Sequence, residues 1–154
     1  MQSNLTQRKA KAEDLHRIVE LLIEDDLGQT REKLTSELDL RYVKAFELID
    51  IDPNQYLMVV ESDGQIIGTC HLTIMPSMTF TGSVRMQIEA VRVTDSMRGM
   101  KIGEWMMKQA FDYAKANGVS IVQLTTNKKR PRAKHFYERL GFEASHEGMK
   151  IYLK

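Results

Sequence analysis

A short stretch of glycines and basic residues, RGMKIG at positions 98–103, has the composition of an anion site. An extended run precedes it and an apolar pattern of helical spacing follows, so it lies where a strand turns into a helix. The first backbone N–H groups of a helix lack partners within the helix and attract anions. Gly99 permits a tight turn and Gly103 a close approach, while Arg98 adds positive charge. We therefore predict an anion site, with a pyrophosphate as its natural occupant.

The stretch by itself leaves an alternative open, because glycines and basic residues also occur in strand-to-helix turns that bind nothing. It lacks the G-x-G-x-x-G spacing of dinucleotide sites, and no Gly-Lys pair is followed by Ser or Thr as in a P-loop. The choice between a site and a plain turn depends on the elements around it.

Those elements predict one domain, over 1–154, of mixed α/β architecture. A chain of 154 residues can bury a single core. The order is β-α-α-β-β-β-α-β-α-β, with a hairpin block before strand, helix, strand. Strands are predicted over 5–9, 56–60, 66–75, 83–93, 120–127 and 149–153, and helices over 12–26, from about 31 to 50, from 102 to 116 and from 131 to 140.

The composition argues against several classes of protein. With 22 basic and 21 acidic residues the net charge is +1, so no global field attracts nucleic acid or an anionic membrane. The basic run NKKRPRAK at 127–134 lacks interleaved aromatic residues, which disfavours RNA binding. The N-terminus has no apolar stretch typical of a signal peptide, and no window reaches a membrane span. We expect a soluble, cytoplasmic protein.

Thiol and metal chemistry are not expected. Cys70 is the only cysteine and lies in a strand-like run, where a buried free thiol acts as a small hydrophobic residue. The histidines lack the spacing with cysteine or carboxylate partners that metal sites need, so we predict no metal.

Three segments together resemble a known family. They are IEAVRV at 88–93, SMRGMKIG at 96–103 and RAKHFYERLGF at 132–142. In this order they are similar to the GCN5-related N-acetyltransferases (GNAT), which transfer acetyl from acetyl-CoA to an amine. The family signature is Arg or Gln, two residues, Gly, one residue, then Gly or Ala. Arg98 and Gly103 match its ends, and Lys101 stands where the middle Gly usually lies.

The resemblance implies the GNAT acyl-CoA acyltransferase fold, with a central, mostly antiparallel sheet splayed at the cofactor cleft. Backbone amides of the turn would bind the coenzyme A pyrophosphate. The pantetheine arm would pair like an added strand with the backbone of Val91 and Val93, whose side chains can pack in the core at the same time. The residues implied for the pyrophosphate are Arg98, Gly99, Met100, Lys101, Ile102, Gly103 and Glu104.

Further cofactor contacts are implied downstream. Asn127 matches an asparagine that often binds the coenzyme arm, although an asparagine at this point also caps turns. Arg132 and Lys134 are the nearest candidates for the 3′-phosphate, within a run that otherwise reads as a solvated basic face.

The resemblance also implies the catalytic groups. Tyr137 aligns with the tyrosine that serves as general acid for the departing thiolate, and its hydroxyl is protonated at neutral pH. Glu89 is the best candidate for a base acting through water, because strand alternation places it two residues before Val91 on the same face. Packing beside Phe136 is the alternative for Tyr137, and a solvated or ion-paired position is the alternative for Glu89.

We therefore expect an acetyl-CoA-dependent N-acetyltransferase that moves acetyl directly to a primary amine of a small molecule or peptide. The acidic run at 24–26 is interpreted either as ordinary surface charge or as a group that attracts a cationic amine. A homodimer through the C-terminal strands is a further expectation from the resemblance. The rival classes are a coenzyme A-binding regulatory module of the same fold and a nucleic-acid binder using 127–134.

Overall fold

Five strands form one open sheet in the order β1-β2-β3-β4-β5. The computed structural model describes residues 4–153. The strands are β1 (Leu5–Lys9), β2 (Gln55–Ser62), β3 (Gln65–Pro76), β4 (Val84–Val93) and β5 (Val119–Leu124). The helices are α1 (Leu15–Ile23), α2 (Asp26–Arg31), α3 (Leu40–Ile51), the one-turn α4 (Thr79–Gly82), α5 (Ile102–Ala116) and α6 (Pro131–Arg139). The mixed α/β prediction is confirmed.

The connections explain the direction of each strand. The β2–β3 hairpin turns at Asp63 and Gly64, whose φ angles of 50° and 78° suit a type I′ turn. Strands β1 to β4 pair antiparallel in sequence order. Strand β5 then pairs parallel to β4, because α5 crosses over between them. The sheet is thus mostly antiparallel, as expected.

Each sheet face buries its own cluster of apolar side chains. One cluster packs against α5, where Met106 and Met107 are fully buried. The other packs against α1 and α3, with Val59 and Phe46 among its members. Cys70 lies in the first cluster and is fully buried, which confirms the core role predicted for it.

A bulge in β4 divides this strand into two halves. His71 of β3 pairs with Glu89, yet Thr69 pairs with Arg92, so β4 has one extra residue in between. Ala90 takes up the irregularity with a φ of 53°. Before the bulge β4 pairs with β5, and the last pair is Ile88 with Leu124. After it, no described strand pairs with this edge, so β4 and β5 splay apart.

The bulge overturns one expectation about side-chain direction. Strict alternation places Ala90 with the buried Met86 and Ile88, and Glu89 with Val91. Instead Ala90 is exposed, because the extra residue shifts the alternation by one. Glu89 therefore shares its face with Arg92, while Val91 packs on the α5 side.

Two predicted elements differ in the structure. The helix predicted from about 31 to 50 begins only at Leu40, as α3, where Asp39 caps it by accepting a hydrogen bond from the Arg41 N–H at 2.9 Å. The last strand, MKIYL at 149–153, is wrong: residues 142–153 contain no strand or helix. Its apolar side chains have no cluster to pack against, and Ile151 is 83% exposed. The hydrophobic pattern gave no information about a pairing partner.

A buried ion pair ties β1 to the turn before α1. Asp14 is 6% exposed and accepts hydrogen bonds from Arg8 Nη1 at 2.7 Å, Arg8 Nη2 at 3.0 Å and the Lys11 N–H at 2.7 Å. The hydrogen bonds from Arg8 lower the pKa of Asp14.

Replacing Asp14→Asn is expected to reduce the free energy of unfolding at pH 7 by about 2 kcal/mol, because charge-assisted hydrogen bonds are lost. The pKa of Asp14 is lower in the folded than in the unfolded protein. The stability that Asp14 contributes is therefore fully present above its unfolded pKa and is lost as the pH falls through its folded pKa. Urea unfolding at pH 7 and pH 2.5 measures this. Asp39→Asn, which keeps its cap and loses only an exposed pair with Arg41, is the control and should change stability little. An equal loss at both pH values would contradict the prediction.

Candidate active site

The site is a cleft opened by the splay of β4 and β5. Its floor is the half of β4 from Glu89 to Val93, which pairs with β3 but not with β5. We call this segment the unpaired half of β4. The turn 98–103 and the start of α5 close one end. Helix α6, which follows β5, packs on the start of α5 through Phe136 and carries Tyr137. The bulge leaves Val91, Val93 and Tyr137 on the α5 side of the sheet and Glu89 on the other face.

Backbone N–H groups of the turn are free to bind an anion. Gly99 and Lys101 have positive φ angles of 80° and 60°, which turn the chain sharply into α5. Helix α5 has no side-chain cap. Among the described residues, the N–H groups of Ile102, Gly103 and Glu104 have no hydrogen-bond acceptor. Three donors at the positive end of a fifteen-residue helix suit a pyrophosphate.

The side chains of the turn point away from this cradle or into solvent. Arg98 Nη2 pairs with Asp95 Oδ1 at 2.8 Å, and both side chains are more than half exposed. Lys101 and Met100 are exposed. The conformation of Lys101 explains why the family signature has Gly at this position, because a left-handed residue with a Cβ is strained.

We expect Lys101→Gly to raise the free energy of unfolding by about 1 kcal/mol relative to Lys101→Ala, because only glycine relieves the left-handed strain. Both variants remove the same charge, so their difference isolates the backbone effect. Urea unfolding measures it. Equal stabilities for the two variants would contradict this interpretation.

Gly103 sets the distance between α5 and α6. A Cβ built on it would lie 3.2 Å from Cζ of Phe136, which is tighter than ordinary contact. The absence of a side chain thus lets the Phe136 ring pack on α5, beside the N–H groups of the turn. Gly103 does permit a close approach, as predicted, and the element that approaches α5 there is helix α6.

Tyr137 lies next to the bulge. Its ring packs edge-on against Phe136 and Phe142, with centroids 5.3 Å and 5.9 Å away. Burial raises its pKa, and the charge of Arg92 opposes this increase. Its hydroxyl has no hydrogen bond to another described residue. A protonated, unpaired phenol beside the opened strand is suited to donate a proton to a ligand in the cleft.

Glu89 borders a groove on the face away from α5. Its side chain is 55% exposed, and Oε1 lies 3.9 Å from His71 Nδ1. The other ring nitrogen of His71, Nε2, is 2.6 Å from Gln55 Oε1 and donates to it in the neutral tautomer. Burial lowers the pKa of His71, and Glu89 partly opposes this. His71 is thus neutral at pH 7, with Nδ1 open towards Glu89.

Val91 and Val93 lie on the unpaired half of β4. Both side chains are half-buried and pack against the α5 cluster. The Val91 carbonyl accepts a hydrogen bond from Arg92 Nη1 at 2.9 Å. Core packing of these side chains leaves the strand edge open for a ligand.

The other cofactor candidates lie on the β5–α6 connection and the first turn of α6. Asn127 is exposed, and its Oδ1 accepts a hydrogen bond from the Lys129 N–H at 2.9 Å, so it caps this turn. Its amide N–H groups have no described acceptor. Arg132 and Lys134 are exposed on α6. Their positions fit a peripheral phosphate contact.

Sequence reasoning missed a cluster of charged side chains behind the bulge. Arg92 and Arg130 are partly buried, although the sequence places Arg130 in a solvated basic run. Arg130 Nη2 lies 2.7 Å from Asp25 Oδ2, at an angle too bent for a hydrogen bond. Asp25 also caps α2 by accepting a hydrogen bond from the Gly28 N–H. The signal available in the sequence was an arginine inside the strand IEAVRV.

The acidic run at 24–26 is structural at two of its positions. Glu24 accepts hydrogen bonds from Thr94 Oγ1 and from the Asp95 N–H, each at 3.0 Å, and so ties α1 to the end of β4. Asp25 pairs with Arg130. Glu24 and Asp25 are therefore bound within the fold and are not merely surface charges.

Within 4–153, no three His, Cys, Asp or Glu side chains are grouped in a way that could hold a metal ion. In that same range, each helix is too short or too polar to cross a membrane.

Comparison with known proteins agrees with this geometry. Residues 10–142 match the model of the "Acetyltransferase (GNAT) family". A solved structure from Bacillus halodurans C-125, described as a transcriptional regulator, is 41% identical, with 97% of this chain and 100% of that chain covered and a TM-score of 0.94.

Two relatives are named for their substrates. An aminoalkylphosphonate N-acetyltransferase from Salmonella typhimurium is 30% identical over 75% of each chain. A glucosamine 6-phosphate N-acetyltransferase from Trypanosoma brucei brucei is 32% identical over 57% of this chain and 58% of its own length. The family match covers strands β2 to β5, the turn at 98–103 and α6. The protein is a member of the GNAT acetyltransferase family.

Proposed function

We propose that this protein transfers acetyl from acetyl-CoA to the primary amine of a small molecule. One observation supports this most strongly: the unpaired half of β4 meets the free N–H groups of α5 in the same cleft, beside Tyr137. An extended ligand with amides at one end and a pyrophosphate at the other fits such a cleft. Both substrate-named relatives act on small amines, which favours a small acceptor over a peptide.

Binding of the donor would use mainly the backbone. The N–H groups of 102–104 would hold the pyrophosphate, with Arg98, Gly99, Met100 and Lys101 shaping the turn before them. The backbone of Val91 and Val93 would pair with the amides of the pantetheine arm. Asn127, Arg132 and Lys134 would contact the outer parts of the coenzyme. These contacts explain why the signature tolerates Lys101, whose side chain is exposed.

Proton movement would involve two side chains on opposite sides of β4. The Tyr137 hydroxyl would donate a proton to the departing thiolate, and its raised pKa keeps it protonated. Glu89 would accept a proton from the ammonium of the acceptor through water, which leaves the neutral amine to attack the thioester. The Nδ1 atom of His71, 3.9 Å from Glu89, would receive that proton or hold the water in place. The Val91 N–H would stabilise the developing oxyanion.

Transfer would be direct, without an acetylated enzyme. Cys70 is the only thiol in the chain, and burial raises its pKa to about 12. A thiol in this state is a poor nucleophile. Orientation of two bound substrates in one cleft would supply most of the acceleration.

A coenzyme A-binding regulatory protein without turnover is the second candidate. The observation that favours it is the description of the Bacillus halodurans structure as a transcriptional regulator. The two candidates share the donor site and differ only in release of a free thiol.

A thermal shift with acetyl-CoA, followed by a free-thiol assay with a panel of amines, tests the proposal. Donor at one hundred times its Kd should stabilise the fold by about 2.7 kcal/mol, which raises Tm by roughly 5–10 °C. No shift at millimolar acetyl-CoA would overturn both candidates. A shift without amine-dependent thiol release would favour the regulatory one.

A further inference from the structure

Arg92 and Arg130 form, with Asp25, a group of two cations and one carboxylate that we name the arginine cluster. The charged groups acting on Arg92 are, in decreasing order, Arg130, Asp25, Tyr137 and Arg31. Burial lowers the pKa of Arg92, and Arg130 lowers it further. Two positive charges against one negative charge leave an excess of about one at a partly buried position.

Each of the two arginines also has buried N–H groups without a hydrogen-bond acceptor. Nε of Arg92 and Nε of Arg130 are buried without any partner among the described residues. Nη1 of Arg92 donates only to the carbonyl of Val91, and Nη2 of Arg130 touches Asp25 at a poor angle. Buried donors without acceptors are costly, and water would satisfy them without cancelling the charge. An anion would do both.

The position of the cluster separates it from the pyrophosphate turn. The bulge places Arg92 on the sheet face of Glu89, whereas α5 packs on the other face. Asp25 comes from the junction of α1 and α2, and Arg130 from the connection before α6. Both arginines act electrostatically on the Tyr137 hydroxyl. An anion held there would lie beside the reacting groups, on the side where Glu89 would receive the amine.

We propose that Arg92 and Arg130 bind a phosphonate or phosphate group of the acceptor, so that the acetylated molecule is a small amine with a phosphorus oxyanion. This rests on the proposed acetyl transfer, because it identifies the acceptor of that reaction. Guanidinium groups bind tetrahedral oxyanions through paired hydrogen bonds. The two substrate-named relatives act on an aminoalkylphosphonate and on glucosamine 6-phosphate, which share an amine and a phosphorus oxyanion.

The first test compares matched acceptors with the wild-type protein and acetyl-CoA. The value of kcat/KM should be about 100-fold higher for 2-aminoethylphosphonate than for 2-aminoethanol, and higher for glucosamine 6-phosphate than for glucosamine. Arg92→Gln and Arg130→Gln should each remove most of this preference, mainly through KM, and Arg130→Lys should restore part of it. Arg41→Gln, an exposed surface change, should keep the preference. Equal kcat/KM for charged and uncharged acceptors would overturn the proposal.

The second test measures binding without turnover. Methylphosphonate is titrated calorimetrically into protein saturated with coenzyme A. Asp25→Asn keeps the helix cap and removes the only carboxylate of the cluster, so it should bind methylphosphonate more tightly, by about tenfold, whereas Arg130→Gln should weaken binding. Poor folding cannot explain tighter binding. Equal affinity in all variants, or loss of the site when coenzyme A is present, would overturn the proposal.

The two proposals fail in different ways. Absence of stabilisation by acetyl-CoA, measured before any acceptor is added, contradicts acetyl transfer. Normal donor binding and turnover with no difference between phosphorylated and neutral amines contradicts only the role of the arginine cluster.

Discussion

Tyr137→Phe is expected to lower kcat by 100- to 1,000-fold while the Kd for acetyl-CoA changes less than twofold. The substitution removes one hydroxyl and keeps the ring packed between Phe136 and Phe142. A positioned general acid contributes about 10²–10⁴ to a rate, and the thiolate would otherwise leave without a proton donor. Because burial raises the pKa of Tyr137, the wild-type hydroxyl stays protonated well into the alkaline range.

Steady-state kinetics and calorimetry with acetyl-CoA separate these two effects. Tyr113→Phe is a matched control, since Tyr113 also has a pKa raised by burial but packs against Tyr56, with centroids 4.7 Å apart. It should keep near wild-type kcat. Unchanged turnover in Tyr137→Phe would remove this residue as the acid and leave packing as its role.

Gly103→Glu is expected to abolish detectable binding of acetyl-CoA, with an increase in Kd of at least 100-fold. Its Cβ would meet the Phe136 ring at 3.2 Å, so α5 and α6 would have to move apart. Its carboxylate would also place a negative charge in the first turn of α5, where the pyrophosphate would lie. Both effects act on the free N–H groups of this turn.

Two companion variants separate bulk from charge. Gln109→Glu adds the same charge two turns further along α5 and should bind acetyl-CoA normally. Gly103→Ala introduces only the Cβ and should weaken binding by a smaller factor, which Phe136→Leu restores in the double variant. Wild-type affinity in Gly103→Glu, measured by calorimetry, would show that the donor binds elsewhere.

Local sequence determined most of the elements. The Asp63–Gly64 turn, the β-rich runs on either side of it and Pro131 at the start of α6 were sufficient to position β2, β3 and α6, because turn types and helix starts depend on a few neighbouring residues. The glycine at 99 and the helical pattern after 102 likewise predicted the turn and α5. The proposal that this turn binds pyrophosphate came from the resemblance to the GNAT family.

Tertiary pairing decided what the local pattern left undetermined. Whether β4 alternates regularly depends on its register with β3, and the extra residue at Ala90 moved Arg92 to the face of Glu89. Whether 149–153 is a strand depends on a partner, and none lies beside it in the described chain. Arg130 belongs to a basic run in the sequence, but in the fold it contacts Asp25, from which it is separated by 105 positions in the chain. Hydrophobic periodicity reports on near neighbours, whereas register, splay and charge clusters arise only when distant segments meet.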